Sequence, residues 1–233
     1  MPQALAPVDV ARLRDNLERI RARIARACAA AGRAEGSVAL VAVTKYSGVP
    51  LARALVELGQ RDLGENRVQH LGELAAGLAD LAPRWHMIGH LQRNKANKAA
   101  PLLSAIHSLD SAELARKLDA ARPAELPPLD VYLELRLDEK ETRSGVTAAE
   151  LPALWAEVGR CARLRPVGLM GLPPLGEDPR PHFQRVRAAA AELGVRALSM
   201  GMTEDLEVAV EEGATVVRVG RALLEGLSAE ALA

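Results

Sequence analysis

The chain has few aromatic residues and few cysteines. Its 233 residues include two Trp, two Tyr, one Phe and two Cys. A hydrophobic core must therefore be built from Ala, Val, Leu and Ile. The two thiols, Cys28 and Cys161, belong to no CxxC motif or Cys/His cluster, so we predict no metal site. We expect both to be bystander thiols in a reducing compartment.

The sequence also lacks an excess of charge and any long apolar run. Lys and Arg number 30, Asp and Glu number 30, and the formal net charge is zero. This balance gives no argument for binding to nucleic acid or to a membrane surface. The first ten residues lack a basic start followed by an apolar stretch, and no run approaches the length of a membrane span. We therefore predict a cytoplasmic protein without nucleic-acid or membrane partners.

What the sequence does contain is an alternation of short apolar runs with helical patterns, after a long amphipathic helix predicted over Val8–Ala31. Strand and helix alternation predicts a parallel sheet with crossover helices. Eight units in about 200 residues fit a closed (β/α)8 TIM barrel, here one domain over residues 1–233 with an extra N-terminal helix. An open doubly wound sheet is the alternative, less favoured because no GxGxxG follows the first strand.

The predicted strands are Val38–Val43, Arg61–Leu63, Arg84–Ile88, Ala105–Leu109, Leu129–Leu137, Pro166–Met170, Ala197–Ser199 and Thr215–Val219. The predicted helices that follow them are Pro50–Leu58, Val68–Leu78, Lys95–Ala99, Ala112–Ala120, Ala148–Ala162, Pro181–Leu193, Glu204–Glu211 and a last one near Leu223.

Function in such a barrel lies where the strands end, on the C-terminal face. Lys45 directly follows the first strand, where partial desolvation would lower its pKa and favour an amine nucleophile. A lysine snorkelling from a strand end is an equally good interpretation. Asn66 follows the second strand, and a helix N-cap is the safer interpretation of it than a ligand contact. His86 lies in the third strand and His90 follows it, but their spacing would suit a metal only on a helix, and no third ligand is apparent.

The ends of strands seven and eight supply Ser199, Gly201 and Gly220. A hydroxyl and free backbone N–H groups before a helix form an anion site, and Gly220 lets the backbone approach a ligand closely. We expect the helix after Gly220 to add its N-terminal dipole. Loops after strands seven and eight are the habitual phosphate site of this fold. Together with Lys45, these loops indicate a phosphorylated aldehyde as the ligand, with its phosphate at the loops and its aldehyde at the lysine.

Several segments resemble the YggS/PROSC family of pyridoxal phosphate homeostasis proteins, in order from about Val38 to Gly226. The His-x-Ile-Gly-x-Leu-Gln-x-Asn-Lys string and Leu-Ser-Met-Gly-Met are specific together. The matching segments are Val43-Thr44-Lys45, Gly64-Glu65-Asn66-Arg67-Val68-Gln69, Trp85 to Lys95, Gly168-Leu169-Met170, Leu198 to Met202 and Val217 to Gly220.

This family is similar to the barrel domain of alanine racemase, the fold type III class of pyridoxal 5′-phosphate (PLP) proteins. The resemblance implies intracellular PLP homeostasis without substantial catalysis, with apo PLP-dependent enzymes as recipients. It implies that Lys45 holds PLP as a Schiff base, Asn66 lies beside it, Arg218 faces the pyridine nitrogen, and Ser199, Gly201, Gly220 and the backbone of Arg221 hold the phosphate.

Two positions depart from the family pattern. Arg221 stands where the family usually has Thr, so a threonine hydroxyl is lost and a cation takes its place. Arg143 stands in a loop where the family often has Lys, so a role of that lysine's amine does not transfer.

A PLP-dependent amino-acid racemase is the alternative function, and a barrel that binds no PLP is a third. Racemisation needs two opposed bases. The candidates to oppose Lys45 are Tyr46, which would point the other way if the strand continues, and Tyr132, placed early in strand five away from the mouth. We also expect the β-domain of alanine racemase to be absent, which favours a monomer. We therefore predict a PLP-binding protein and not an enzyme.

Overall fold

The computed structural model describes residues 4–138 and 144–232. Within these residues, eight parallel strands close into a barrel in chain order, and β8 pairs with β1 through Ala39↔Val216 and Ala42↔Val219. The predicted (β/α)8 barrel is confirmed, and the open sheet is wrong. The strands are β1 (Ala39–Val43), β2 (Asp62–Glu65), β3 (Arg84–Met87), β4 (Leu103–Leu109), β5 (Leu129–Leu135), β6 (Leu164–Gly171), β7 (Ala197–Ser199) and β8 (Val216–Val219).

The helices lie close to their predicted positions, with one exception. The α-helix predicted near Leu223 is absent from the described residues: Arg221–Leu223 form a short 3-10 turn instead, and Gly226 shortly after it has a φ of +72°. Arg93–Lys95 form another 3-10 turn. The helices are α1 (Pro7–Ala30), α2 (Val49–Glu57), α3 (Val68–Gly77), α4 (Ala96–Ala99), α5 (Ala112–Ala121), α6 (Leu151–Gly159), α7 (Pro179–Glu192), α8 (Leu206–Glu211) and α9 (Ala229–Leu232).

Helix α1 braces the chain after β8. Its apolar stripe, which includes the fully buried Leu13 and Ile20, packs on α8 and on the 3-10 turn. The buried Asn16 amide donates to the carbonyl oxygens of Leu223 and Glu225 at 2.9 and 2.8 Å. These bonds satisfy carbonyl groups that no helix or strand would pair. The N-terminal helix therefore holds the segment that follows Gly220.

Both cysteines are free, Cys28 buried in α1 and Cys161 half-buried after α6. None of the described helices combines the length and the apolar character that crossing a bilayer requires.

Candidate functional site

Lys45 lies on the C-terminal rim of the barrel, two residues beyond the end of β1. Its side chain is exposed, so the expected partial desolvation is absent. Its Nζ lies 5.0 Å from the ring centroid of Tyr46, which is itself 68% exposed. Tyr46 therefore does not point away from Lys45 as expected, because the strand ends at Val43 and its alternation ends with it. The amine is open to a ligand from solvent.

The backbone just before Lys45 is held by a buried acid that the sequence analysis missed. Thr44 is fully buried, and its hydroxyl donates to Oε1 of Glu65, which is also fully buried. The other oxygen of Glu65 lies 2.9 Å from Nδ1 of His70. This arrangement fixes the end of β1 against β2. An acid inside the short strand Asp62–Glu65 was the available signal.

Asn66 is free to contact a ligand. The N-cap of α3 is Arg67, without a side-chain cap bond, so the interpretation of Asn66 as the cap is wrong. Within the described residues, no hydrogen bond is formed by the Asn66 amide. Gly89 lies against it, since a Cβ at Gly89 would fall 2.7 Å from Cβ of Asn66. The glycine thus lets the end of β3 approach the Asn66 backbone.

Gly220 brings the end of β8 close to the end of β1. A Cβ at Gly220 would lie 3.1 Å from Cβ of Val43, so a side chain there would press on the strand that leads to Lys45. The expected helix dipole after Gly220 is absent, because only a 3-10 turn follows. Arg221 is exposed and its Nη1 lies 3.4 Å from Glu204 Oε1. Its side chain thus faces solvent.

Arg218 is buried inside the barrel, where desolvation lowers its pKa to about 10. Its Nη1 donates to the carbonyl oxygen of Ser199 at 2.7 Å and to the Ser199 hydroxyl, and its Nη2 donates to Gly171 O at 3.3 Å. Ser199 is fully buried. Its hydroxyl is therefore turned into the barrel interior, where its oxygen accepts from Arg218.

Two histidines continue this polar interior. His107 is fully buried, its Nδ1 is 2.6 Å from Ser199 Oγ, and its Nε2 is 2.9 Å from Nδ1 of His86. Burial holds the pKa of His107 well below its ordinary value, so its imidazole is neutral at physiological pH. The sequence analysis missed His107. The signal was a lone histidine in the apolar strand Leu103–Leu109.

Tyr132 is stacked on His107, with ring centroids 4.5 Å apart. Burial raises the pKa of its phenol to about 12, so Tyr132 remains protonated and is a poor base. Glu134 is buried two residues further along β5 and accepts a hydrogen bond from Ser144 Oγ at 2.8 Å. Burial raises its pKa as well. Arg143 lies outside the described residues.

A cavity of about 700 Å³ opens on the rim at the ends of β3, β4 and β5, across the barrel from Gly201 and Gly220. Among the residues that line it are His90, Asn94, Asp110 and Arg136. The described residues contain no group of three or more His, Cys, Asp or Glu side chains arranged to hold a metal ion.

Residues 8–227 match the family model described as alanine racemase, N-terminal domain. The chain is 41% identical over 214 residues to the pyridoxal phosphate homeostasis protein of Pseudomonas aeruginosa, covering 90% of this chain and 93% of that protein. It is 36% identical over 223 residues to the protein of the same name from Escherichia coli K12, covering 89% and 94%. Among solved structures, PipY of Synechococcus elongatus with PLP bound superposes with a TM-score of 0.78 at 33% identity, covering 91% of this chain and 99% of PipY.

Proposed function

Because this chain belongs to the alanine racemase N-terminal-domain family, and within it to the pyridoxal phosphate homeostasis proteins, we propose that it holds PLP at the barrel rim through Lys45. The observation that carries the proposal is the exposed Lys45 amine, at the rim that Gly220 closes. When bound, PLP supplies an electrophilic aldehyde, with which a primary amine forms a Schiff base. Lys45 provides that amine.

The other rim groups fit the remaining parts of this cofactor. The free Asn66 amide can orient a polar ring substituent, and the backbone N–H groups near Gly201, Gly220 and Arg221 suit a phosphate. Within residues 4–138 and 144–232, Nε of Arg218 has no acceptor, so it retains a donor for the pyridine nitrogen. A charged guanidinium keeps that nitrogen unprotonated, which weakens the ring as an electron sink.

We expect the purified protein to be yellow and borohydride to fix the cofactor irreversibly on Lys45, as mass spectrometry of peptides would show. Lys45→Ala should be colourless and unlabelled, because it removes the amine. Lys98→Ala is the matched control, since it removes an exposed lysine from α4 and should stay yellow. An equally yellow Lys45→Ala protein would contradict the assignment.

The chain is proposed to store and pass on PLP rather than to racemise amino acids. A racemase needs a base opposite Lys45, but Tyr46 lies on the same side as Lys45 and Tyr132 stays protonated inside the barrel. With alanine or serine, turnover should stay far below the roughly 1–1000 per second of ordinary enzymes. Turnover within that range in a chiral product assay would overturn this part of the proposal.

The proposed recipients are apo forms of PLP-dependent enzymes. An exposed Lys45 leaves the bound aldehyde accessible to an incoming amine, which is what transfer requires. We expect holo-protein to restore the activity of an apo PLP enzyme even when a phosphatase is present to destroy free PLP. Free PLP added under the same conditions should restore that activity more slowly. Restoration that the phosphatase abolishes completely would mean that PLP passes through solvent and would contradict direct transfer.

A further inference from the structure

A continuous hydrogen-bonded chain crosses the barrel interior from Arg218 towards the N-terminal face. It passes from Arg218 to the Ser199 hydroxyl, then over 2.6 Å to His107 and over 2.9 Å to His86. It ends at Asp62, whose Oδ1 lies 3.0 Å from His86 Nε2. TIM-barrel interiors are usually filled by branched apolar side chains, so a polar column is an exception that calls for a reason.

The two ends of this column, together with the cost of leaving a buried polar group unpaired, determine the direction of each bond. An arginine can only donate. Asp62 can only accept, because its bonds from Arg84 and His86 overcome its partial burial and keep its pKa below the ordinary range. His86 must therefore donate from Nε2. Its Nδ1 must accept for the column to be fully paired, because a proton there would make His107 donate to Ser199 and leave the hydroxyl proton without an acceptor in the column. His107 must then donate from Nε2 and accept at Nδ1.

The Ser199 hydroxyl is the last group whose role is fixed. It accepts from Arg218, so its own proton goes to Nδ1 of His107. With the Nε2–H tautomer at both histidines, every donor from the Ser199 hydroxyl to His86 has an acceptor. This is the arrangement that leaves no polar side-chain atom between Ser199 and Asp62 unpaired.

We propose that His107, supported by His86 and Asp62, is a positioning residue that locks the Ser199 hydroxyl and through it the guanidinium of Arg218 against the pyridine side of the bound ring. This inference rests on the proposed binding of PLP. It gives Ser199 a role different from phosphate binding, since a hydroxyl whose proton is committed to His107 cannot donate to a phosphate. The phosphate is then left to backbone N–H groups.

The column itself is tested without the cofactor. In apo-protein labelled with ¹⁵N-histidine, long-range ¹H–¹⁵N spectra at neutral pH should show His86 and His107 as neutral Nε2–H tautomers. A charged His107, or an Nδ1–H tautomer at either residue, would overturn the proposal whether or not PLP binds.

The role of Ser199 is tested by comparing PLP with pyridoxal, which lacks the phosphate. Ser199→Ala and His107→Gln should each weaken both ligands by the same factor, about tenfold for a lost bond to a charged group. They should shift the absorption maximum of the bound ligand in the same way, and the double variant should be no weaker than either single one. Tyr132→Phe, which keeps the stacked ring, should change neither affinity.

Three outcomes separate the hypotheses. If Ser199→Ala weakens PLP alone, Ser199 binds the phosphate and the inference is wrong. If His107→Gln loses thermal stability but leaves both affinities and the spectrum unchanged, His107 is only structural and the inference is again wrong. If the wild-type protein binds neither ligand, the proposed function fails, while the tautomer measurement still decides whether the column exists.

Discussion

At the scale of single residues, two independent features exclude a side chain at Gly201. Its φ of +96° lies in the region that favours glycine, and an added Cβ would lie 2.5 Å from Cβ of Ala209. Gly36, with φ of +78°, has nothing within 4 Å of such a Cβ. We expect Gly201→Ala to lower the free energy of unfolding by about 2–4 kcal/mol and Gly36→Ala by about 1 kcal/mol, in urea titrations. If both variants lost the same amount of unfolding free energy, the close contact with Ala209 would not destabilise Gly201→Ala.

The sequence predicted which residues follow the strands but not which way their side chains turn. Lys45, Asn66 and Gly220 lie at strand ends because an apolar run stops there, and such an end is visible in the sequence. The inward direction of the Ser199 hydroxyl depends on His107, which is 92 residues away in the chain. A contact between such distant residues follows from barrel closure alone, and no local pattern encodes it.

At the scale of secondary-structure elements, the contact of α1 with the chain after β8 depends on Asn16. Asn16→Ala leaves the buried carbonyl of Leu223 without its donor and should lower stability by about 1–3 kcal/mol. The loss of protection should be local: amide hydrogen exchange should become faster in Arg221–Leu232 and stay unchanged in Ala112–Ala121. Arg14→Ala, an exposed residue of the same helix, is the control and should leave both regions unchanged. A uniform rise across the protein would contradict the bracing role.

The order of the secondary-structure elements was predictable from the periodicity of the helices, and the strand patterns alone would not have been enough. Strand β7 has three residues and β2 has four, too short for an alternation pattern to identify with safety. The longer helices between them fixed the number of units. The last predicted helix was wrong because Leu223 and Leu224 continue the apolar spacing of a helix, whereas the chain forms only a 3-10 turn that ends before the positive φ of Gly226.

At the scale of the whole molecule, stability should depend on pH through the buried His107. Its pKa is lowered in the folded protein, so below about pH 6.5 the unfolded chain binds a proton that the folded one does not. Stability is therefore retained above that pH and falls by about 1.4 kcal/mol per unit as the pH drops below it. His107→Phe keeps an aromatic ring against Tyr132. Between pH 6.5 and 5, the dependence of its unfolding free energy on pH should be weaker by the contribution of one proton. Identical slopes would show that His107 is protonated in the fold.

The pairing of β1 with β8 determines when the binding site can form during synthesis of the chain. Val43 and Gly220 lie next to each other where the barrel closes, although they are separated by most of the barrel sequence. During synthesis, the strand that carries Lys45 is therefore exposed early and has no partner on that side until the ribosome has released β8. A chain truncated before Val216 keeps the lysine but lacks both the wall beside it and Arg218. Ligand capture thus reports that synthesis has passed β8, and ribosome-bound intermediates should remain colourless until that strand emerges.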